Sequence, residues 1–167
     1  DMELPEALNK YAESKIKNEL EAKKFHENHN INIYGLRFFT VYGPLGRPDM
    51  AYFKFAQNIN KNVKIQMFNG GELKRDMTFI DDITDGLEKI ISYQMGRYND
   101  FQIFNMGNEK PVKTSFLLSL IEKELQKKAL INHINLNKEV KITYADCTKA
   151  KKAFGFSPKV NIEHGIS

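Results

Sequence analysis

Tyr11 and Lys15 stand four residues apart in a stretch of helical periodicity, so both side chains leave one face and can reach a single substrate. An ammonium beside a phenol favours the phenolate, and a phenolate can serve as a general base. With 7 tyrosines and many lysines in the chain, the same spacing also describes an ordinary surface pair. A second group of candidates lies in Leu36-Arg37-Phe38-Phe39-Thr40-Val41-Tyr42-Gly43-Pro44-Leu45-Gly46-Arg47-Pro48-Asp49-Met50-Ala51, where an apolar strand runs into a loop with two glycines and two prolines. Thr40 offers a hydroxyl there, and Arg47 a planar fork matched to a carboxylate. Without a ligand, the same residues make a strand end and a stiffened turn with Arg47 in solvent. The chain uses four arginines, and Arg37, Arg47 and Arg75 fall in the motif stretches. Arg37, inside the strand, reads as half of a structural ion pair. Arg75, in Lys74-Arg75-Asp76 after a glycine turn, suits an anion reaching in from outside or is a plain surface charge.

Alternating helices and strands must position these groups. The spacing of Ala12, Ile16 and Leu20 predicts a helix over 11–27, followed by a buried strand over 31–42. Asp49 is placed to cap a helix through Phe53, Phe55 and Ile59, and 63–68 alternates as a strand before the turn Asn69-Gly70-Gly71. Residues 77–80 read as extended. Asp81 and Asp82 read as structural caps ahead of Ile83, Leu87, Ile90 and Ile91, not as paired catalytic acids. A strand over 101–106 ends at Gly107, expected to serve the turn, and Thr114 opens a longer helix. The last elements are a strand over 140–144 and a helix over 148–154 stopped by Gly155. This order predicts an α/β layer architecture.

At 167 residues with 41% apolar content the chain can bury a core of one domain, or one domain and a piece of another. No stretch approaches a membrane span, and the acidic opening Asp1-Met2-Glu3 is unlike a secretory signal, so a cytoplasmic setting is expected. The single cysteine, Cys147, reads as a small filler, which fits a reducing compartment. The net charge of +4 comes from lysines scattered beside glutamates, which argues against nucleic acid as a partner. His26, His29, His133 and His164 lack ligand spacing, so no metal is expected. No glycine precedes Gly35, so the glycine-rich turn that cradles a dinucleotide pyrophosphate is missing. The chain therefore reads as a fragment without its cofactor-binding half.

Three stretches carry a resemblance: Tyr11-Ala12-Glu13-Ser14-Lys15, the 36–51 loop, and Lys74-Arg75-Asp76-Met77-Thr78-Phe79-Ile80-Asp81-Asp82, with Asn105-Met106-Gly107-Asn108 in support. Together they resemble the extended short-chain dehydrogenases of the NAD-dependent epimerase/dehydratase family, most closely its UDP-glucuronate 4-epimerases. The resemblance covers nearly the whole chain but only the family's second half. It implies the C-terminal portion of a Rossmann-type fold with a small α/β substrate-binding domain. Residues 1–48 and 77–110 would be the remnant of the dinucleotide domain, and 49–76 and 111–167 the nucleotide-sugar domain. It further implies NAD as cofactor, a UDP-hexuronate as substrate and a homodimer when full length, paired through the tyrosine helix and its stripe Ala12, Ile16 and Leu20.

Residue by residue, the resemblance makes Tyr11 the base for the sugar O4 and Lys15 its partner, which also holds the nicotinamide ribose. The backbone around Phe38 lies beside the nicotinamide. Thr40 and Arg47 take the sugar and its carboxylate, Arg75 the diphosphate, and the backbone of Gln66 and Phe68 the uracil. The family's proline-glycine-acid loop is replaced by Leu136-Asn137-Lys138-Glu139, with Glu139 standing in for the acid. The family's catalytic Ser or Thr has no counterpart in the chain. A decarboxylase or dehydratase on the same scaffold, and a non-catalytic binding module, remain as alternatives. The fragment alone is expected to be inactive.

Overall fold

The computed structural model describes residues 10–136 and 140–167. The elements in chain order are α1 (Lys10–His29), β1 (Ile33–Phe38), β2 (Thr40–Tyr42), α2 (Ala51–Asn60), β3 (Ile65–Phe68), β4 (Lys74–Phe79), α3 (Ile80–Gln94), β5 (Phe101–Met106), β6 (Pro111–Lys113), α4 (Thr114–Leu125), β7 (Ile131–Ile134), β8 (Ile142–Thr143), α5 (Thr148–Phe154) and α6 (Ile162–Ile166). Period-two alternation works as expected in β3, where Ile65 and Met67 are buried while Gln66 and Phe68 face out.

Most strand pairings are parallel. β1 runs beside β5 with Ile33 opposite Phe101, β2 beside β4 with Thr40 opposite Met77, and β3 beside β7 with Ile65 opposite Ile131. β4 also pairs in parallel with β8 and antiparallel with β6. Two apolar cores sit on this framework. One gathers Tyr42, Tyr52, Phe55, Ile59, Met67 and Leu118, from α2, α4 and the strands under them. The other gathers Ile83, Ile90, Phe104, Met106, Cys147 and Phe156, around α3, α5 and β5.

The strand expected over 31–42 divides at Phe39, whose N–H turns to the Met106 carbonyl (3.4 Å), and it is not buried throughout: Arg37 and Phe38 are exposed. Among the described residues β1 pairs with β5 alone, so its other edge has no partner strand there. Arg37 forms the expected ion pair, with Nε 2.7 Å and Nη2 2.6 Å from the two carboxylate oxygens of Glu19 on α1. Asp49 does not cap α2; Met50 holds that position without a side-chain bond, because the Asp49 carboxylate is taken by Arg47. Asp81 and Asp82 likewise sit inside the first turn of α3 instead of capping it. Asp82 is buried and accepts from the backbone N–H groups of Lys159 (2.8 Å) and Val160 (3.0 Å), tying the C-terminal segment to α3.

The most heavily bonded buried acid is Asp76 in β4. Its carboxylate accepts from the N–H groups of Asn108 (2.7 Å), Glu109 (3.0 Å) and Ala145 (2.9 Å). Gly107 makes room for it: a Cβ there would lie 2.7 Å from the Asp76 Oδ2, so glycine is set by this close approach more than by the turn itself. Cys147 is buried beside this knot, as a filler should be, and burial pushes its thiol up to about 11. No helix among the described residues is long and apolar enough to cross a membrane.

Candidate functional site

α1 delivers Tyr11 and Lys15 from adjacent turns of one face. The Lys15 Nζ lies 5.3 Å from the centre of the Tyr11 ring, within cation–π range, and Tyr11 is 70% exposed. Ser14 is turned to its own helix and donates to the Tyr11 carbonyl (2.7 Å).

The 43–50 loop carries the next group. Gly43 has φ +141°, and a Cβ there would lie 2.6 Å from the Ile80 side chain, so only glycine permits the turn out of β2. The loop then brings the Arg47 fork onto Asp49, Nε to Oδ1 at 3.0 Å and Nη2 to Oδ2 at 2.5 Å. This bond to Asp49 raises the Arg47 pKa above its ordinary range, and the phenols of Tyr11 and Tyr52 add smaller contributions in the same direction. Asp49 is lowered in turn, chiefly by the hydrogen bond from Arg47. Arg47 and Tyr11, on different elements, are thus close enough to sense each other's charge.

Beyond this pair opens a cavity of about 530 Å³ lined by Asp49, Lys54, Lys64, Gln66, Phe68 and Arg75, among others. Arg75 is oriented by its Nη1, which donates to the carbonyls of Lys74 and Val140, each at 2.9 Å. A smaller cavity of about 210 Å³ adjoins it, sharing Arg75 and Thr114 and adding Thr40, Tyr52 and Met77. Just after β3 the Asn69 amide brackets Leu136, donating to its carbonyl (3.3 Å) and accepting from its N–H (2.8 Å).

The expected residues therefore fall into linked groups. Gln66, Phe68 and Arg75 line one cavity, Thr40 shares a second with Arg75, and Tyr11 gathers with Lys15 and Arg47. Asp49 joins the groups, since it holds Arg47 and lines the larger cavity. Phe38, at the carboxyl end of β1 and 46% exposed, lines neither cavity. Glu139 lies outside the described residues. Sequence reasoning missed Lys54, Lys64 and the second role of Asp49. One signal was available for Lys54: Ala51, Lys54 and Asn58 recur at helical spacing, and all three line the cavity. No group of three or more His, Cys, Asp or Glu among the described residues is arranged to hold a metal ion.

Comparison with known proteins bears on this geometry. The sequence profile of the NAD dependent epimerase/dehydratase family matches residues 2–107, a span that contains Tyr11, Lys15, Phe38, Thr40, Arg47, Gln66, Phe68 and Arg75 but not Glu139. The chain is 45% identical, over 167 residues, to an uncharacterized protein of Methanocaldococcus jannaschii, covering 99% of this chain and 50% of that one. It is 37% identical over 168 residues to a UDP-glucuronate 4-epimerase of Thermodesulfobacterium geofontis, again 99% of this chain and 50% of the relative. Among solved structures, the UDP-glucuronic acid 4-epimerase of Bacillus cereus in complex with UDP-glucuronic acid and NAD superposes with a TM-score of 0.87 at 31% identity, over 98% of this chain and 52% of that one. The chain thus spans about half the length of the relatives it matches. Its α/β fold with parallel sheets is that of a Rossmann-like extended short-chain dehydrogenase over that half, and the chain belongs to the NAD dependent epimerase/dehydratase family.

Proposed function

We propose that the protein is an NAD-dependent 4-epimerase that interconverts UDP-glucuronate and UDP-galacturonate through a 4-keto sugar, and that this chain supplies the catalytic pair and the nucleotide-sugar half. In this reading 1–48 and 77–110 belong to the dinucleotide domain and 49–76 and 111–167 to the nucleotide-sugar domain. The observation that carries the proposal is the linked rim: Tyr11 under Lys15, within charge range of Arg47, whose partner Asp49 lines the cavity that holds Arg75.

The donor set suits a nicotinamide dinucleotide, since an exposed phenol and ammonium side by side can bind a ribose hydroxyl and move a proton, and Phe38 at the carboxyl end of β1 is also exposed. When bound, NAD supplies the acceptor and later the donor of the C4 hydride. Tyr11 takes the O4 proton as the alcohol is oxidised and returns it after the ring has turned over; Lys15 stabilises the phenolate. Arg75 holds the diphosphate, the backbone at Gln66 and Phe68 the uracil, and Glu139 the nucleotide's edge. Thr40 and Arg47 hold the uronate.

A 4-keto uronate is a β-keto acid, which loses CO2 when its carboxylate bond aligns with the carbonyl π system. Arg47 and Thr40 must keep it out of that alignment, an effect of orientation. One observation favours the decarboxylase alternative: the Arg47 fork is engaged by Asp49, so a substrate carboxylate that fails to displace Asp49 would stay unrestrained. The discriminating experiment gives the full-length protein UDP-glucuronate and NAD and follows the products. UDP-galacturonate without gas or pentose nucleotide supports the epimerase; CO2 release overturns it. The isolated chain is expected to show no turnover and no tight NAD binding, and measurable epimerisation by it would refute that part. α1 buries none of its residues, which also makes it the proposed homodimer contact when the protein is full length, checked by sedimentation.

A further inference from the structure

The larger cavity carries more positive charge than Arg75 alone. Lys54 enters from α2, Lys64 from the approach to β3 and Arg75 from β4, so three cations from three elements line about 530 Å³. Among the described residues the one acid in the lining, Asp49, is neutralised by the Arg47 fork. Among the described residues neither Lys54 nor Lys64 has an ion-pair partner. Ala51, the first residue of α2, also lines the space, and Met50 provides no side-chain cap, so the positive end of the helix dipole adds to the same potential. Lys54 and Lys64, added to Arg75 and a helix N-terminus in one cavity, suit a ligand with more than one negative charge, and a single guanidinium does not neutralise a diphosphate.

The two lysines occupy different ends. Lys54 is near enough to Asp49 to help lower its pKa, which puts it toward Arg47 and the sugar side. Lys64 is two residues from Gln66, on the wall proposed for the base. We infer that Lys54 is a second phosphate ligand, holding the diphosphate of a nucleotide together with Arg75 in the same cavity. This rests on the nucleotide-sugar reading above and adds the residue that reading lacked.

The test titrates UDP, UMP and uridine into the chain by calorimetry, for wild type, Lys54→Gln, Lys54→Arg, Lys64→Gln and Arg75→Gln, with circular dichroism to confirm folding. Lys54→Gln should weaken UDP about tenfold, UMP less, and uridine within about twofold, as expected for loss of one charge-assisted bond to phosphate. Lys54→Arg should keep most of the affinity, and Lys64→Gln should weaken UDP less than Lys54→Gln does. If Lys54→Gln leaves UDP affinity intact while Arg75→Gln weakens it, the role of Lys54 is refuted and the nucleotide site stands. If wild type binds no UDP, both fall.

Discussion

Around the larger cavity Phe55, Ile65 and Leu73 are buried and Arg75 is pinned by two carbonyls, whereas α1, which carries Tyr11 and Lys15, buries no residue at all. The proposed nucleotide side brings its own core; the proposed catalytic side offers side chains on an open face. Burial of apolar surface is what fixes side chains in place, at about 25 cal/mol per Å², and α1 has little of it to spend. Its ion pair to β1 is the Arg37 to Glu19 pair, and an exposed pair of that kind contributes about 1 kcal/mol or less. The residues proposed to bind and the residues proposed to react should therefore respond to mutation in opposite ways.

Tyr11→Phe is the sharpest separation of the two. Loss of the general base should lower kcat of the full-length enzyme by about two to four orders of magnitude. Because Tyr11 is 70% exposed, the unfolding midpoint of the chain should move by less than about 0.5 kcal/mol. Retained activity would break the proposed chemistry, and a large loss of stability would break the contrast. Asp76→Ala should do the reverse. It leaves the buried N–H groups of Asn108, Glu109 and Ala145 without their acceptor, at a cost of about 3–5 kcal/mol in urea unfolding. A change under 1 kcal/mol would mean that water or backbone relaxation replaces the carboxylate.

The same contrast explains what was legible in the sequence. Where local chemistry decides, as at the Gly155 stop of α5 or the alternation in β3, the elements follow the pattern. Arg37 could be assigned an ion pair because a charge inside an apolar strand needs a partner. Asp49, Asp81 and Asp82 were misjudged as caps because a carboxylate before a helical run has the same local signature whether it bonds its own helix or something distant. Arg47 competes for the first, and the N–H groups of Lys159 and Val160, some 77 residues away, claim the last. The knot at Asp76 and the short elements β6, β7 and α6 had no periodicity to reveal them, being too brief for any repeat. The lining of the larger cavity was legible at Gln66, Phe68 and Arg75, and illegible at Lys54, whose place depends on which wall α2 presents.

An alkaline titration sharpens the comparison from the side of the cores. Burial raises Tyr42 to about 12; burial, then the hydrogen bond to Asp100, raises Tyr34 to about 12 as well. In the unfolded chain both phenols ionise near 10, so between these values the folded state binds more protons. Their contribution is fully present below pH 10 and is lost as pH climbs toward 12. Absorbance at the tyrosinate band should accordingly show a late-titrating class among the seven tyrosines that merges with the rest once the chain unfolds. The absence of any late-titrating class in the folded chain would contradict the packing of Tyr42 in the first core.

The smallest expected effect probes the weak side directly. Glu19→Gln removes the charge that holds the Arg37 fork, and because that pair is partly exposed, global unfolding should shift by about 1 kcal/mol or less. The local consequence should be larger. With no buried residue to anchor it, α1 loses its main directional tie to β1, so amide exchange along Lys10–His29 should accelerate while α2 and α4, packed in the first core, keep their protection. Equal acceleration in all three helices would mean that α1 is part of one cooperative unit with the nucleotide side. The contrast between a self-supporting cavity and an open catalytic face would then give way to a single structure in which the Tyr11 rim is as firmly built as the pocket it serves.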